Sequence, residues 1–295
     1  MMGAASELLS LVVSGLASGS AYALLALGVV IIFRSTDAVN FAIGQTGVIA
    51  LYLAGLLLTA GAPLWLVMVG AIIVGAGLGV VTERAFIRPL GHRKNFAFIS
   101  LVVTIGLTFM LQALIGAVWG HPPRGFPPLV AGTMQIGDFA VAWNKIVATG
   151  VALACMGVVA FFFGRTPLGI AMRASAEDHF AARIVGLDAN RISILAWSLG
   201  CGLATLAMFF LAAEQSLSST LADHSLFRAF AGVFLGGLTS MPGAVLGGFA
   251  IGILDNLAGG YVSPNFRDTI VFGVIVVLLF LRPAGLLGTA RKQRV

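Results

Sequence analysis

Long apolar runs, separated by short polar stretches, make up most of this 295-residue chain. Most runs are about 20 residues long or longer, which is the length that a helix needs to cross about 30 Å of hydrocarbon. The runs lack the alternation of apolar and polar residues that a transmembrane barrel requires. The pattern therefore predicts membrane helices over 8–33, 38–60, 64–87, 96–118, 143–164, 191–213, 226–260 and 267–282.

The run 226–260 is too long for one ordinary span. It contains Thr239-Ser240-Met241-Pro242-Gly243, and adjacent proline and glycine break a helix and favour a turn. We therefore divide the run into a short segment, 226–238, and a longer one, 243–260. The predicted fold is an all-α integral membrane protein with about eight to nine transmembrane or partly re-entrant helices, in which the short segment either crosses or dips in and returns.

Composition supports this class. The chain is 59% hydrophobic and 9% charged, whereas a soluble domain has about 25% charged residues. Its mean hydropathy is +1.04. The first apolar run follows Glu7 and has no basic residue before it, which favours a retained helix over a cleaved signal peptide. We expect residues 1–295 to form a single transmembrane domain.

The basic residues predict the orientation. If the chain alternates across the membrane throughout, all but four of the 17 Lys and Arg residues share one side. Cytoplasmic loops are enriched in these residues, so the N-terminus is expected outside and the C-terminus in the cytoplasm. The pI near 10.0 has the same origin and does not indicate nucleic-acid binding. The basic residues expected on the outer side are Arg124, Lys145, Arg228 and Arg267.

One cytoplasmic stretch is unusually charged for so apolar a chain. Residues 173–191, RASAEDHFAARIVGLDANR, contain three arginines and three acidic residues. Good helix formers follow Gly169, and glycine commonly ends a helix, so a helix is predicted over 169–186. The loop 165–191 is thus expected to be an ordered element that meets the membrane surface, a partner or the protein's own core.

Within this loop, an alanine pair is followed by three residues and a glycine, in Ala181-Ala182-Arg183-Ile184-Val185-Gly186. This pattern resembles the coupling motif of ABC-importer permeases, although the glutamate that usually precedes the pair is Phe180 here. The whole loop looks like that of the branched-chain (hydrophobic) amino-acid permeases. The resemblance extends to SGLASGSAYALLALGVVIIFRSTDAVNFAIGQ from residue 14, FAGVFLGGLTSMPGAVLGGFAIGIL from residue 230 and LRPAGLLG at 281–288.

This resemblance implies a permease subunit of an ATP-driven importer in the bacterial inner (plasma) membrane, with small hydrophobic, above all branched-chain, amino acids as solutes. A second permease, two cytoplasmic ATPases and an extracytoplasmic solute-binding protein would be its partners. The sequence contains no GxxxxGK[ST] loop. We therefore expect no enzyme activity and no cofactor in this chain, with ATP on the partner subunits. The residues expected to couple to the ATPases are Arg173, Glu177, Asp178, Ala181, Ala182, Arg183 and Gly186.

Polar residues within the apolar runs are candidates for a solute path, because such groups are costly in lipid unless they face protein or water. Ser and Thr can instead bond to their own helix backbone. The second run reads Asn-Phe-Ala-Ile-Gly-Gln where the family commonly has Asn-Phe-Ala-His-Gly-Glu, so two ionisable groups are replaced by Ile43 and Gln45. This departure leaves the solute open and argues against proton coupling there. The candidate path residues are Ser18, Tyr22, Asn40, Gly44, Gln45, Thr104, Thr108 and Gln112.

The glycines of 232–252 predict a tightly packed element, because small residues four apart let helices approach closely in lipid. Asp255 is expected near the outer end of a segment as a cap or interface charge. Arg228 and Arg267 are expected to face outward, where they could meet the binding protein or remain solvated. The residues expected to break or pack the helices here are Gly236, Gly237, Pro242, Gly243 and Gly247.

Several alternatives stay open at this point. Within the importer class, the solute could be urea, a short amide or a small carboxylate. A secondary transporter or channel is the rival class. Such proteins often place ionisable groups in mid-membrane, and the apolar runs of this chain contain almost none. A membrane enzyme is disfavoured, because the four histidines show no metal-ligand spacing. Cys155 and Cys201 lie in apolar runs and are expected to act as small hydrophobes, with no disulfide and no metal site.

Overall fold

The computed structural model describes residues 2–91, 93, 95–136, 139–177, 182, 184–282 and 285–288. Within these residues, ten α-helices have defined bounds. They are α1 (Met2–Thr36), α2 (Ile43–Thr59), α3 (Leu64–Thr82), α4 (Phe96–Trp119), α5 (Trp143–Arg165), α6 (Pro167–Glu177), α7 (Ala189–Gln215), α8 (Leu221–Gly236), α9 (Met241–Tyr261) and α10 (Arg267–Leu281).

Six of the described helical segments are long and apolar enough to span a membrane: Glu7–Thr36, Leu64–Leu90, Phe96–Trp119, Trp143–Arg165, Ala189–Gln215 and Met241–Tyr261. The second of these continues α3 through a π-helical turn, Glu83–Ile87, and a 3-10 turn, Arg88–Leu90. Since a run of this length can cross hydrocarbon without exposing backbone polar groups, the prediction of an all-α, multi-pass membrane protein is confirmed.

A small β-hairpin is the main departure from helical structure. Strands β1 (Thr133–Ile136) and β2 (Phe139–Ala142) pair antiparallel, with Thr133 opposite Ala142. The hairpin lies in the long polar connection between α4 and α5, for which the sequence shows no helical pattern.

Helices α1 and α7 form the centre of the molecule. Their most apolar windows are 89% and 78% buried, whereas those of α3, α4 and α5 are 22–28% buried. Small residues permit this packing: a side chain at Gly19 would meet the backbone at Phe249, and one at Gly28 would meet the carbonyl of Gly200. The outer helices keep broad apolar surfaces, as expected for helices that face lipid or a partner.

The link between α1 and α2 is buried although it is not helical. Asn40 is 1% exposed, and its Oδ1 accepts a hydrogen bond of 2.9 Å from the backbone N–H of Ala42. The Thr104 hydroxyl of α4 accepts from the N–H of Phe41 at 3.2 Å and donates to the carbonyl of Val39 at 3.1 Å. Irregular backbone at membrane depth is tolerated only where protein or water satisfies it, and these side chains do so.

The connection between α7 and α8 is held in a similar way. Leu217 and Arg124 exchange backbone hydrogen bonds of 2.8 and 2.9 Å. The Gln45 amide donates to the carbonyl of Ser219 at 2.6 Å. The start of α8 thereby packs against the start of α2, where the Cα of Gly44 faces Ala222. Helix α8 consequently begins at Leu221, five residues before the predicted segment.

The charged stretch after α5 is ordered where it is described. Helix α6 begins after Thr166, whose hydroxyl accepts from the N–H of Gly169 at 3.1 Å. Ala182 is buried, and Gly186 adopts a φ of +83°, a conformation that ends helices and favours glycine. Asp188 then caps α7 by accepting hydrogen bonds from the backbone N–H groups of residues 190 and 191. Of the predicted coupling residues, Asp178, Ala181 and Arg183 lie outside the described residues.

Candidate functional site

A polar cavity of about 810 Å³ lies toward one end of the helix bundle. Residues of α1, α5, α7, α8, α9 and α10 line it. Its volume falls within the range of about 300–1,000 Å³ that is usual for small-molecule sites. Solvent reaches it, because the side chains of His224 and Asp268 are 65% and 48% exposed. Its ionisable lining residues are Lys145, Glu214, His224, Arg228, Asp255, Arg267 and Asp268, together with Tyr22.

A buried ion-pair network forms one wall of this cavity. Arg228 of α8 donates from Nε to Asp255 Oδ1 of α9 and from Nη2 to Asp268 Oδ1 of α10, both at 2.9 Å. His224 Nδ1 lies 3.3 Å from the second oxygen of Asp268. Arg228 is 8% exposed and Asp255 is 2% exposed. The arginine therefore ties three helices together in a place where an unpaired charge would be costly.

Aromatic and small polar groups of α1 complete the wall. The Tyr22 ring is 6.0 Å from Arg228 Cζ, a distance at which a cation interacts favourably with the ring. Lys145 Nζ donates to Ser14 Oγ at 2.9 Å. Asn256 Nδ2 donates to Ser18 Oγ at 2.8 Å. These bonds fix α5 and α9 against α1 at the level of the cavity.

Arg267 supplies a donor that is not satisfied by the protein. Its Nε is buried and has no hydrogen-bond partner among the described residues. Room for its guanidinium exists because residue 259 is glycine: a Cβ at Gly259 would overlap Nε and Nη2 of Arg267. A buried donor without a partner is unfavourable, and this one packs against Gly259 and is not exposed to the cavity.

The cavity carries charges of both signs. Three basic side chains, those of Lys145, Arg228 and Arg267, accompany three carboxyl groups, those of Glu214, Asp255 and Asp268. Such a lining can bind a carboxylate through cationic donors and an ammonium group through carboxylate acceptors. The arrangement therefore suits a small polar or zwitterionic solute better than an anion or a cation alone.

The structure distributes the eight predicted path residues over three places. Ser18 and Tyr22 line the polar cavity. Asn40, Gly44, Gln45 and Thr104 support the non-helical links that precede α2 and α8. On α4, the Thr108 hydroxyl donates to its own helix, at the carbonyl of Thr104, and Gln112 donates to Asp223 at 3.1 Å.

The expectation that the Arg228 side chain meets a binding protein or stays solvated is not compatible with its burial, since it is enclosed by two carboxylates. Sequence reasoning missed the network because its members come from three helices and share no local spacing. The available signal was the presence of acidic and basic residues near the ends of three consecutive apolar runs, at Arg228, Asp255 and Asp268.

The glycines predicted to pack tightly lie along the contact between α8 and α9. A side chain at Gly236 would overlap the carbonyl of Gly243, and one at Gly247 would overlap the carbonyl of Gly232. Gly237 has a φ of +104° at the end of α8, and Pro242 lies in the first turn of α9. Because the two backbones touch directly, α8 can bring Arg228 within hydrogen-bonding distance of α9.

The fold is that of a polytopic helical membrane protein, and the cavity in it is charge-balanced and accessible to solvent. A family described as "Branched-chain amino acid transport system / permease component" matches residues 11–279 of the sequence. The chain belongs to this family, and the resemblance seen in the sequence is confirmed.

Similar proteins cover nearly the whole chain. The chain is 29% identical over 298 residues to BraD of Pseudomonas aeruginosa and 27% identical over 297 residues to LivH of Escherichia coli K12, each match covering 96% of both proteins. Both are described as high-affinity branched-chain amino acid transport system permease proteins. A shorter match, 30% identical over 133 residues, links 44% of this chain to 30% of the E. coli permease protein LivM.

Proposed function

We propose that this chain is the transmembrane permease subunit of an ATP-driven importer that moves small hydrophobic amino acids, above all branched-chain ones, into the cell. The observation that carries the proposal is the charge-balanced cavity in a chain of this permease family. Relatives with full coverage are named for branched-chain amino acid transport. An α-amino acid presents one carboxylate and one ammonium group, which match the two kinds of charge in the cavity.

The polar cavity is then the outward-facing entrance for solute. Its lining comes from the first halves of α1, α5 and α10 and from the last turns of α7 and α9. The positive-inside rule places these ends outside, the N-terminus outside and the C-terminus in the cytoplasm of a bacterial inner (plasma) membrane. If α8 crosses the membrane as the other segments do, the chain crosses nine times. An odd number of crossings puts the two termini on opposite sides, as this orientation requires.

Coupling to ATP hydrolysis would use the charged cytoplasmic stretch. It follows α5 and precedes α7, and these same helices carry Lys145 and Glu214 in the polar cavity. Displacement of the stretch by closing ATPases would tilt both helices and change the cavity at their far ends. The partners in this scheme are two cytoplasmic ATPases that bind the ATP, a second permease and an extracytoplasmic binding protein, and the permease itself performs no bond chemistry.

Co-purification tests this assembly. The tagged chain is extracted from native membranes in mild detergent, and the proteins that come down with it are identified. A second permease and one or two soluble ATPases are expected. Recovery of the chain alone at every detergent concentration would contradict the importer and favour a secondary transporter or channel. The binding protein encoded with the complex is then screened against leucine, urea, acetamide and small carboxylates, and preference for any solute other than leucine would overturn the amino-acid assignment.

The cavity itself is tested at Lys145. Its replacement by Met removes one cationic donor, so the solute concentration for half-maximal uptake by the assembled complex should rise at least about tenfold, since a charge-assisted hydrogen bond contributes about 1.5–3 kcal/mol. Lys145→Arg keeps the charge and is the matched control. Equal uptake curves for all three proteins would place solute recognition elsewhere.

A further inference from the structure

A second cavity, of about 660 Å³, lies at the opposite ends of the helices that form the polar cavity. It is lined by α1 from Leu27 to Arg34, by α5 from Met156 to Gly164, and by the first turns of α9. The polar cavity uses residues 14–22 of α1 and residues 255–256 of α9 instead. The second cavity therefore lies on the side that carries most of the basic residues.

The walls of this cavity are apolar, and the cavity opens toward the outer surface of the helices. Leu27, Val159 and Phe163 form part of the buried side. Leu246 also lines it and is 60% exposed, so the cavity reaches the outer, lipid-facing surface of the helices. A Cβ at Gly157 would meet nothing within 4 Å. The space thus has the character of a groove that a hydrocarbon chain can enter from the bilayer.

Two arginines lie in these otherwise apolar surroundings. Arg34 is in the last turn of α1, and Arg173 comes from α6. The described lining contains no carboxylate. In the part of the chain that the structure describes, neither guanidinium lies within ion-pair distance of an acidic side chain, and the exposed Glu177 one turn after Arg173 does not pair with it.

We propose that this cavity binds one anionic phospholipid, with the phosphate held by Arg34 and Arg173 and an acyl chain along the apolar wall. Guanidinium groups bind phosphate through paired, charge-assisted hydrogen bonds. Basic pockets between membrane helices on the cytoplasmic side have the charge that anionic headgroups require, and the groove supplies the apolar surface for the chain. The site is separate from the polar cavity and does not depend on which solute is transported.

The location gives the lipid a structural role. Arg173 lies on α6, which packs on α5 so closely that a side chain at Gly169 would overlap the backbone of Phe162. Arg34 lies in the last turn of the central helix α1. A phosphate that bridges the two arginines would join the start of the charged cytoplasmic stretch to the centre of the protein.

Native mass spectrometry of the purified full-length chain tests the site. The probes are phosphatidylglycerol and phosphatidylcholine with identical acyl chains, titrated into the same detergent. Phosphatidylglycerol should bind more tightly, and the Arg34→Gln/Arg173→Gln protein should bind it about 30-fold more weakly, with about fivefold for each single exchange, since each cation near an anionic headgroup contributes about 1 kcal/mol. Phosphatidylcholine binding should not change.

Two further variants keep the test specific. Arg165→Gln removes an exposed charge from the same end of α5, next to the lining residue Gly164 but outside the cavity, and should leave phosphatidylglycerol binding unchanged. Gly157→Leu fills open space in the groove without backbone overlap and should weaken binding while both arginines remain. Equal binding of the two lipids, an equal effect of Arg165→Gln, or no effect of the double exchange would overturn the proposal. Displacement of lipid by a second protein copy would overturn it as well.

Discussion

The ion-pair network around Arg228 leads to a quantitative prediction about stability. Arg228→Met removes the charge but keeps an unbranched side chain, and it leaves Asp255, which is 2% exposed, without its arginine partner. Breaking a buried pair in this way costs about 3–5 kcal/mol, because one charge stays buried and uncompensated. Asp268→Asn should cost at most about 1 kcal/mol, because that side chain is 48% exposed and water screens it.

A double variant separates a lost pair from lost packing. In Arg228→Met/Asp255→Leu both buried charges are replaced by apolar groups, which is often neutral or stabilising. Its free energy of unfolding should therefore lie within about 1 kcal/mol of the wild-type value. The loss of stability in the double variant should be much smaller than the sum of the losses in the two single variants.

The assay is reversible unfolding in mixed micelles, followed by the signal of the native helices. Wild type, Arg228→Met, Asp255→Leu and Arg228→Met/Asp255→Leu form the double-mutant cycle, and Asp268→Asn is measured beside them. The physical argument predicts a positive coupling of at least about 2 kcal/mol between positions 228 and 255. Additive effects, or an Arg228→Met protein no less stable than Asp268→Asn, would refute the reasoning that the network is buried and fully paired.

Three further predictions concern other parts of the molecule. Thr104→Val should cost about 1–3 kcal/mol of unfolding free energy, because it leaves the partly buried N–H of Phe41 without an acceptor. Thr108→Val loses only a bond to its own helix and should cost under about 0.5 kcal/mol. Equal losses would contradict the support given to the link after α1. Gly236→Ala should abolish folded protein on size-exclusion chromatography, since its methyl group overlaps the Gly243 carbonyl, and Gly150→Ala, with open space around it, should be tolerated. Gly186→Asp should reduce ATPase stimulation in the assembled complex by at least about tenfold. Gly186→Asn has nearly the same shape and the same tolerance of the observed φ but no charge, and it should lose less. Unchanged stimulation in both would argue against coupling at this stretch.

Helices with long uninterrupted apolar runs are predictable from the sequence because their bounds depend on local composition. The predicted segments 96–118 and 143–164 match α4 and α5 to within one residue at either end. The break between α8 and α9 is likewise a local effect, since residues 237–240 include a glycine with positive φ and precede Pro242.

The start of α2 was predicted wrongly for a reason that is not local. The run 38–60 is apolar enough to continue as helix, yet α2 begins only at Ile43. The preceding residues are held in an irregular conformation by Thr104, which is more than 60 positions away in the sequence. Tertiary hydrogen bonds of this kind override local preference and leave no pattern in a single sequence.

The lining of the polar cavity was predictable only in part, for the same reason. Ser18 and Tyr22 could be selected as polar groups within an apolar run, and both line the cavity. The charged members could not be assembled, because Arg228, Asp255 and Asp268 meet through the packing of three helices. A charge near the end of an apolar run is more often solvated, whereas here the close glycine contact between α8 and α9 lets Arg228 and Asp255 form a buried pair.

The most direct test of the central claim is solute uptake by the complete complex. The chain is reconstituted in proteoliposomes with the partners that co-purify with it, the binding protein is added outside, and ATP is sealed inside with the ATPases. The account predicts accumulation of labelled leucine against its gradient that requires both ATP and the binding protein, and that falls when Lys145 is replaced by Met. Leucine accumulation without ATP, or none under any condition while urea or a small carboxylate accumulates, would contradict it.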